Sequence, residues 1–162
     1  MVSDDAPLHG VAIRQATVAD ISDLVRLRRM MFEAMGFNDP AQLDATDAAS
    51  SAYFAEAISA REFYGWLAVT PAGAAVGSGG VVFDQHPPGP GNLSGRIGYI
   101  MNVVTLPGYR RRGVARRIMQ AMIKWLAEQG VQNMSLHATE PGRPLYRELG
   151  FVDSNEMRAK LT

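Results

Sequence analysis

Apolar residues along the chain recur at two spacings, and the spacing predicts the element. Val11-Ala-Ile-Arg-Gln15 alternates and predicts a short first strand. Thr17-Val-Ala-Asp20 follows as a helix-start signal close to a capping box. Ile21, Leu24, Val25, Met31, Phe32 and Met35 then return at helical spacing up to Gly36, with Asp23, Arg26, Arg29 and Glu33 on other faces. Asn38-Asp-Pro40 predicts a turn, and a second helix is expected from about Asp47 to Ala60, where Tyr53, Phe54 and Ile58 supply one apolar stripe. Phe63 to Thr70 and Ala74 to Phe83 predict a pair of strands joined as a hairpin through Pro71-Ala-Gly73. Gly77, Gly79 and Gly80 weaken the second of them and predict a bulge or a close backbone approach. His86-Pro-Pro-Gly-Pro-Gly-Asn92 predicts an exposed loop, since its prolines remove donors and its glycines free φ.

The second half reads as strand, loop, helix, strand. Arg96 to Leu106 predicts a strand, and Val114, Ala115, Ile118, Met119, Met122, Trp125 and Leu126 mark the apolar face of a helix ended by Gly130. Val131 to Ala138 predicts the next strand. A helix of this length between two strands implies a parallel pair with a right-handed crossover. Glu140-Pro-Gly142 breaks the chain, Arg143 to Leu149 predicts a short helix stopped by Gly150, and Phe151 to Leu161 is expected to form a last strand. No repeat or linker divides the 162 residues, which predicts a single domain over the whole length.

Composition narrows the chemistry. Sixteen basic residues balance sixteen acidic ones, which argues against a surface devoted to nucleic acid or to a membrane, so any basic cluster is a local feature. The absence of cysteine removes disulfides, zinc–thiolate sites and a thiol nucleophile together. Met1 to Gly10 is polar, lacks an apolar signal core and is expected to be flexible; with no run resembling a membrane span, a cytoplasmic location is expected.

The local cluster is Val103-Val-Thr-Leu-Pro-Gly-Tyr-Arg-Arg-Arg-Gly-Val-Ala-Arg-Arg117. A β-branched run stops at Pro107 and Gly108, arginines follow, and Gly113 and Ala115 open the long helix. The first N–H groups of a helix lack internal partners, so small residues there present donors and a positive dipole end to an anion. Arg110, Arg111, Arg112, Arg116 and Arg117 add positive charge. No Gly-Lys pair exists for a Walker A loop, and Gly77 to Gly80 is neither spaced nor placed as a dinucleotide fingerprint. A second constellation, Pro144-Leu-Tyr146-Arg-Glu-Leu-Gly150-Phe151, follows the strand expected beside the one that feeds the loop.

With both segments in place, the sequence resembles the GNAT superfamily of acyl-CoA-dependent N-acetyltransferases from about Val11 to Leu161. Val103 to Arg117 is similar to the family's pyrophosphate-binding segment, and His137 to Phe151 to the segment ending in its Tyr-x-x-x-Gly-Phe signature. The resemblance implies an α/β fold with a mixed, mostly antiparallel sheet, splayed at one parallel pair and flanked by helices. It implies acetyl-CoA as cosubstrate and no metal. Backbone groups of Arg111, Arg112, Gly113, Val114, Ala115 and Arg116 would hold the pyrophosphate, with Arg110 where the family has Gln or Arg. The pantetheine arm would pair with the strand around Val103, Val104 and Thr105. Tyr146 would give a proton to the departing thiolate, which has physical sense, because a phenol of pKa about 10 is a competent acid for a thiolate of pKa about 8.5 when held beside it.

The general base stays open. Many family members carry a carboxylate or histidine on the strand before the loop, whereas Gly98-Tyr-Ile-Met-Asn-Val103 offers only Tyr99 and Asn102. Glu33, Asp84, His86, Tyr99, His137 and water are the alternatives. Without cysteine there is no ready acyl-enzyme nucleophile, so direct transfer to a primary amine is expected. The acceptor is a small molecule in the first reading and a protein lysine or N-terminal amine in a second; a third reading is a non-catalytic acyl-CoA-binding sensor. Family members often form homodimers, a state that no feature of this chain specifies.

Overall fold

The protein is described over residues 10–161 by a computed structural model. Its five strands lie in the order β1 (Ala12–Gln15), β2 (Phe63–Val69), β3 (Ala75–Gln85), β4 (Arg96–Thr105) and β5 (Asn133–Leu136). Neighbours are antiparallel except β4 and β5, which are parallel. Helices α1 (Ile21–Ala34) and α2 (Pro40–Ser59) cover one face, and α3 (Val114–Glu128) covers the other, with α4 (Arg143–Glu148) following β5. The mixed sheet and its parallel pair are those implied by the sequence.

The helix-start signal before α1 does more than cap. Thr17 Oγ1 accepts from the Ala19 N–H at 3.3 Å, and Asp20 Oδ2 accepts from the Thr17 N–H at 2.8 Å. Both Asp20 oxygens also accept from Arg14 of β1 at 2.8 Å, which ties the first strand to the first helix. The Arg14 guanidinium holds the Asp20 carboxyl down at about 2. Asp20→Ala is therefore expected to destabilise the fold by about 2 kcal/mol in urea denaturation at neutral pH. An unfolded aspartate titrates near pH 3.9, so this contribution is complete above about pH 4 and is lost as pH falls through 2. The gap between the wild type and the variant should close over that window.

α2 begins at Pro40, earlier than the expected Asp47. Asn38-Asp-Pro40 is helix-start chemistry: Asp39 accepts from the Ala41 N–H at 3.0 Å, and proline suits the first helical position, where an N–H would lack a partner. The β3 glycines fulfil both halves of their expectation. The β3–β4 register slips between Ser78 and Gly80. A Cβ on Gly79 would lie 2.7 Å from Ile118 Cγ2 and 2.8 Å from Met122 Cε, so α3 packs directly on the strand backbone. Val81, Ile100, Val114, Ile118, Met119, Met122 and Leu126 fill the core on that face. Leu24, Leu27, Phe54, Ala57, Phe63, Leu67 and Val104 fill it on the other.

The expected last strand is absent. Beyond Phe151 the described chain has no regular structure, and Val152, Met157 and Leu161 are 88%, 93% and 98% exposed. The polar run Asp153-Ser-Asn-Glu156 interrupts the apolar positions, which find no face to bury against, and β5 remains at the sheet edge. The loop from His86 is exposed as expected, pinned by a Gly89–Asn92 bridge and by Asn92 Nδ2 donating to the Arg96 carbonyl at 3.1 Å. The flexibility expected of Met1 to Gly10 concerns residues that, except for Gly10, lie outside those described.

Candidate active site

β4 and β5 pair over only four positions, from Ile97 opposite Asn133 to Ile100 opposite Leu136. β4 then continues to Thr105 while β5 stops, so the edge from Met101 to Thr105 has no strand on that side. On its other side β4 bulges. Val104 faces Ser78 and Met101 faces Gly80, leaving Asn102 and Val103 opposite the single residue Gly79. Asn102 takes a φ of 57°, an uncommon conformation for a residue with a side chain, and it is held there from two directions. Ser78 Oγ donates to its carbonyl at 3.3 Å, and Arg28 of α1 donates to its Oδ1.

The open edge runs directly into the arginine loop. Pro107–Tyr109 forms a 3₁₀ turn, Arg111 has φ 59°, and Gly113 has φ 80° at the N-cap of α3 with no side-chain cap. The first helical hydrogen bond runs from the Arg117 N–H to the Gly113 carbonyl at 3.0 Å, so the N–H groups of Val114, Ala115 and Arg116 have no partner in the helix. A Cβ on Gly108 or Gly113 would meet nothing within 4 Å.

The arginine side chains divide. Arg110 Nε donates to the Thr105 carbonyl at 3.0 Å and fastens the loop to the strand end. Arg116 pairs with Glu148 of α4. Arg117, expected among the positive charges offered to an anion, instead donates to the Val11 carbonyl at 2.7 Å and ties α3 to the start of the chain. Arg111 and Arg112 are exposed and make no ion pair among the described residues. Thr105 Oγ1 is buried without a hydrogen-bond partner among the described residues, an orphan at the point where strand and loop meet. Uncapped donors, an unpartnered strand edge and this orphan hydroxyl fit a ligand with a phosphate end and an extended, amide-bearing arm.

Tyr146 sits on α4, half-buried against the α3-side core. Its ring packs edge-on to Phe151, centroids 6.1 Å apart, and a Cβ on Gly142 would lie 2.8 Å from it. Burial pushes the phenol pKa up, so Tyr146 holds its proton and can act as a donor rather than a base. Tyr146 also lines a cavity of about 670 Å³ between β5, α4 and the chain after Phe151. No residue of β4 or of the arginine loop lines that cavity.

The base candidates are scattered. Glu33 is ion-paired with Arg29 at 3.1 Å on α1. Asp84 pairs with Ile97, five strand positions or about 17 Å from the Asn102 bulge, and exposed His86 lies farther out. His137 is exposed just past β5, and Tyr99 lies opposite Ser135 within the paired part of β4. Among the described residues no group of three or more His, Asp or Glu could hold a metal ion. The residue missed by sequence reasoning is Arg28. Its signal was available: it lies four residues after Leu24 and three before Met31, on the buried stripe, where a charged side chain calls for a buried polar partner.

β4 thus bulges at Asn102 and Val103, loses its parallel neighbour after Ile100 and leads through the arginine loop to an uncapped helix start. The Acetyltransferase (GNAT) family matches residues 24–151, and the chain belongs to that family. The fold is similar to a GCN5-related N-acetyltransferase from Ralstonia eutropha, 29% identical over 94% of this chain and 99% of that one, with a TM-score of 0.85. It is similar also to a predicted acetyltransferase with acetyl-CoA from Clostridium acetobutylicum, 26% identical over 93% and 96% of the two chains, with a TM-score of 0.84. An aminoglycoside N-acetyltransferase in complex with CoA shares the fold at 21% identity over 94% of each chain, with a TM-score of 0.73. A comparison with curated proteins finds no match.

Proposed function

We propose that the chain transfers an acetyl group from acetyl-CoA directly to the primary amine of a small molecule. The observation that carries this reading is the junction itself: the β4 edge from Met101 to Thr105, which no strand pairs on that side, leads through the 3₁₀ turn and the arginine loop to the uncapped start of α3. Acetyl-CoA, when bound, supplies an activated thioester carbonyl. Val114, Ala115 and Arg116 hold its pyrophosphate through their free N–H groups, with the Arg111 and Arg112 side chains adding charge. The backbone of Val103 to Thr105 aligns the pantetheine arm as a strand would. A backbone N–H of the bulged segment at Asn102 and Val103 would serve the carbonyl oxygen, where negative charge grows as the amine attacks. Tyr146 gives its proton to the sulfur as the C–S bond breaks. The proton lost by the amine passes to water, since none of the carboxylate or imidazole candidates lies on the bulged segment.

The experiment is thiol release from acetyl-CoA across a panel of small amines, peptides and no acceptor, with the acetylated product identified by mass. Amine-dependent release with matching product on small acceptors is expected. Turnover on peptides alone would shift the reading to protein acetylation, and acetyl-CoA binding without turnover on any amine would replace the enzyme by a sensor.

A further inference from the structure

Arg28 and Arg29 are neighbours on α1 with opposite fates. Arg29 is ringed by carboxylates, donating to Glu33 at 3.1 Å, to Asp44 at 2.7 Å and to Asp47 at 2.7 Å. Asp23 is taken by Arg26 at 3.0 Å. Arg28 is half-buried and makes no ion pair among the described residues. Its partners are neutral: the Asn102 side-chain carbonyl and the Phe32 ring, whose centroid lies 4.8 Å from the guanidinium carbon. Phe32 in turn meets Phe37 at 5.8 Å between centroids, and Phe37 is 47% exposed, so the cluster reaches from solvent to the β4 bulge.

A half-buried guanidinium without a counter-ion is costly, because it stays charged and one amide oxygen uses only one of its five donors. Desolvation lowers the Arg28 pKa, opposed only by the nearby Tyr53 phenol and by no carboxylate. Arginine forks match carboxylate and phosphate oxygens, and the Asn102 contact fixes this one beside the strand segment proposed to align the thioester. The geometry points to an anionic acceptor: Arg28 binds a carboxylate or phosphate carried by the same small molecule whose amine is acetylated, with Phe32 and Phe37 against its apolar part. This inference rests on the acetyl-transfer reading and adds the acceptor's charge class to it. It sets acidic amines above polycationic ones.

The test pairs charged acceptors with neutral isosteres: amino acids against their amides, and amino-sugar phosphates against the unphosphorylated sugars, each with wild type, Arg28→Gln and Arg28→Lys. The wild type should favour the anionic member of at least one pair by tenfold or more in kcat/KM. Arg28→Gln should erase that preference through KM, and Arg28→Lys should restore part of it. The pair that responds distinguishes carboxylate from phosphate. Equal or better use of neutral or polycationic amines would overturn the inference while leaving acetyl transfer intact. So would an equal loss on all acceptors in Arg28→Gln, which would reduce Arg28 to a support for the bulge. If no amine is turned over, acetyl transfer fails, and calorimetry of N-acetyl amino acids and N-acetyl amino-sugar phosphates with the CoA-loaded protein then decides the anion site alone. Arg28-dependent binding would sustain it, and no binding would overturn it.

Discussion

Tyr146→Phe is expected to lower kcat by about a hundredfold or more, with KM for acetyl-CoA nearly unchanged. The ring that packs on Phe151 and Gly142 is retained, so the loss would come from the hydroxyl alone. That hydroxyl makes no hydrogen bond among the described residues, so its removal orphans no partner and the unfolding midpoint should stay close to that of the wild type. Without the proton, a thiolate must leave as the anion, and the barrier to C–S cleavage rises. Burial keeps Tyr146 protonated to higher pH than a free phenol, so loss of this proton should limit wild-type activity only at a pH above that at which a free phenol ionises. Steady-state kinetics with thiol detection reads both effects, and an unchanged rate would remove Tyr146 from the mechanism.

Gly113→Asp should separate stability from donor binding. Gly113 stands at φ 80° at the start of α3, a conformation that aspartate adopts more readily than most residues. A carboxylate there favours the helix dipole by about 0.3–1 kcal/mol, which offsets much of the backbone strain of about 1 kcal/mol, so thermal stability should change little. The same charge would face the CoA pyrophosphate in front of the free N–H groups of Val114 to Arg116. KM for acetyl-CoA should rise tenfold or more. S-acetyl-pantetheine, which lacks the pyrophosphate, should be used equally by the variant and the wild type. A matching loss with that shorter donor would place the effect in folding rather than in phosphate binding.

What the sequence made legible is local. The capping box at Thr17 and Asp20, the close approach at Gly79 and the strand–loop–helix run from Val103 to Arg117 are each written within a few residues, by spacing or by the need for a missing side chain. The features it hid depend on partners far along the chain. Arg117 looks like its neighbours in the arginine run until Val11 is placed beside it, 106 residues away. Arg28 and Asn102 are separated by 74 residues, so neither announces the other. The start of α2 at Pro40 rather than Asp47 and the missing last strand have a different reason. Turn and helix-start residues are the same few types, and a weakly alternating segment becomes a strand only if a sheet edge and a buried face receive it.

The central claim is that the donor is held by the α3 start and the open β4 edge. Backbone amide NMR during a titration with CoA tests it most directly. The account predicts saturable shifts concentrated at Arg111 to Arg116 and at Val103 to Thr105. Shifts confined to the residues around the 670 Å³ cavity beside β5, such as Met134, Arg147 and Val152, with the arginine loop silent, would contradict it.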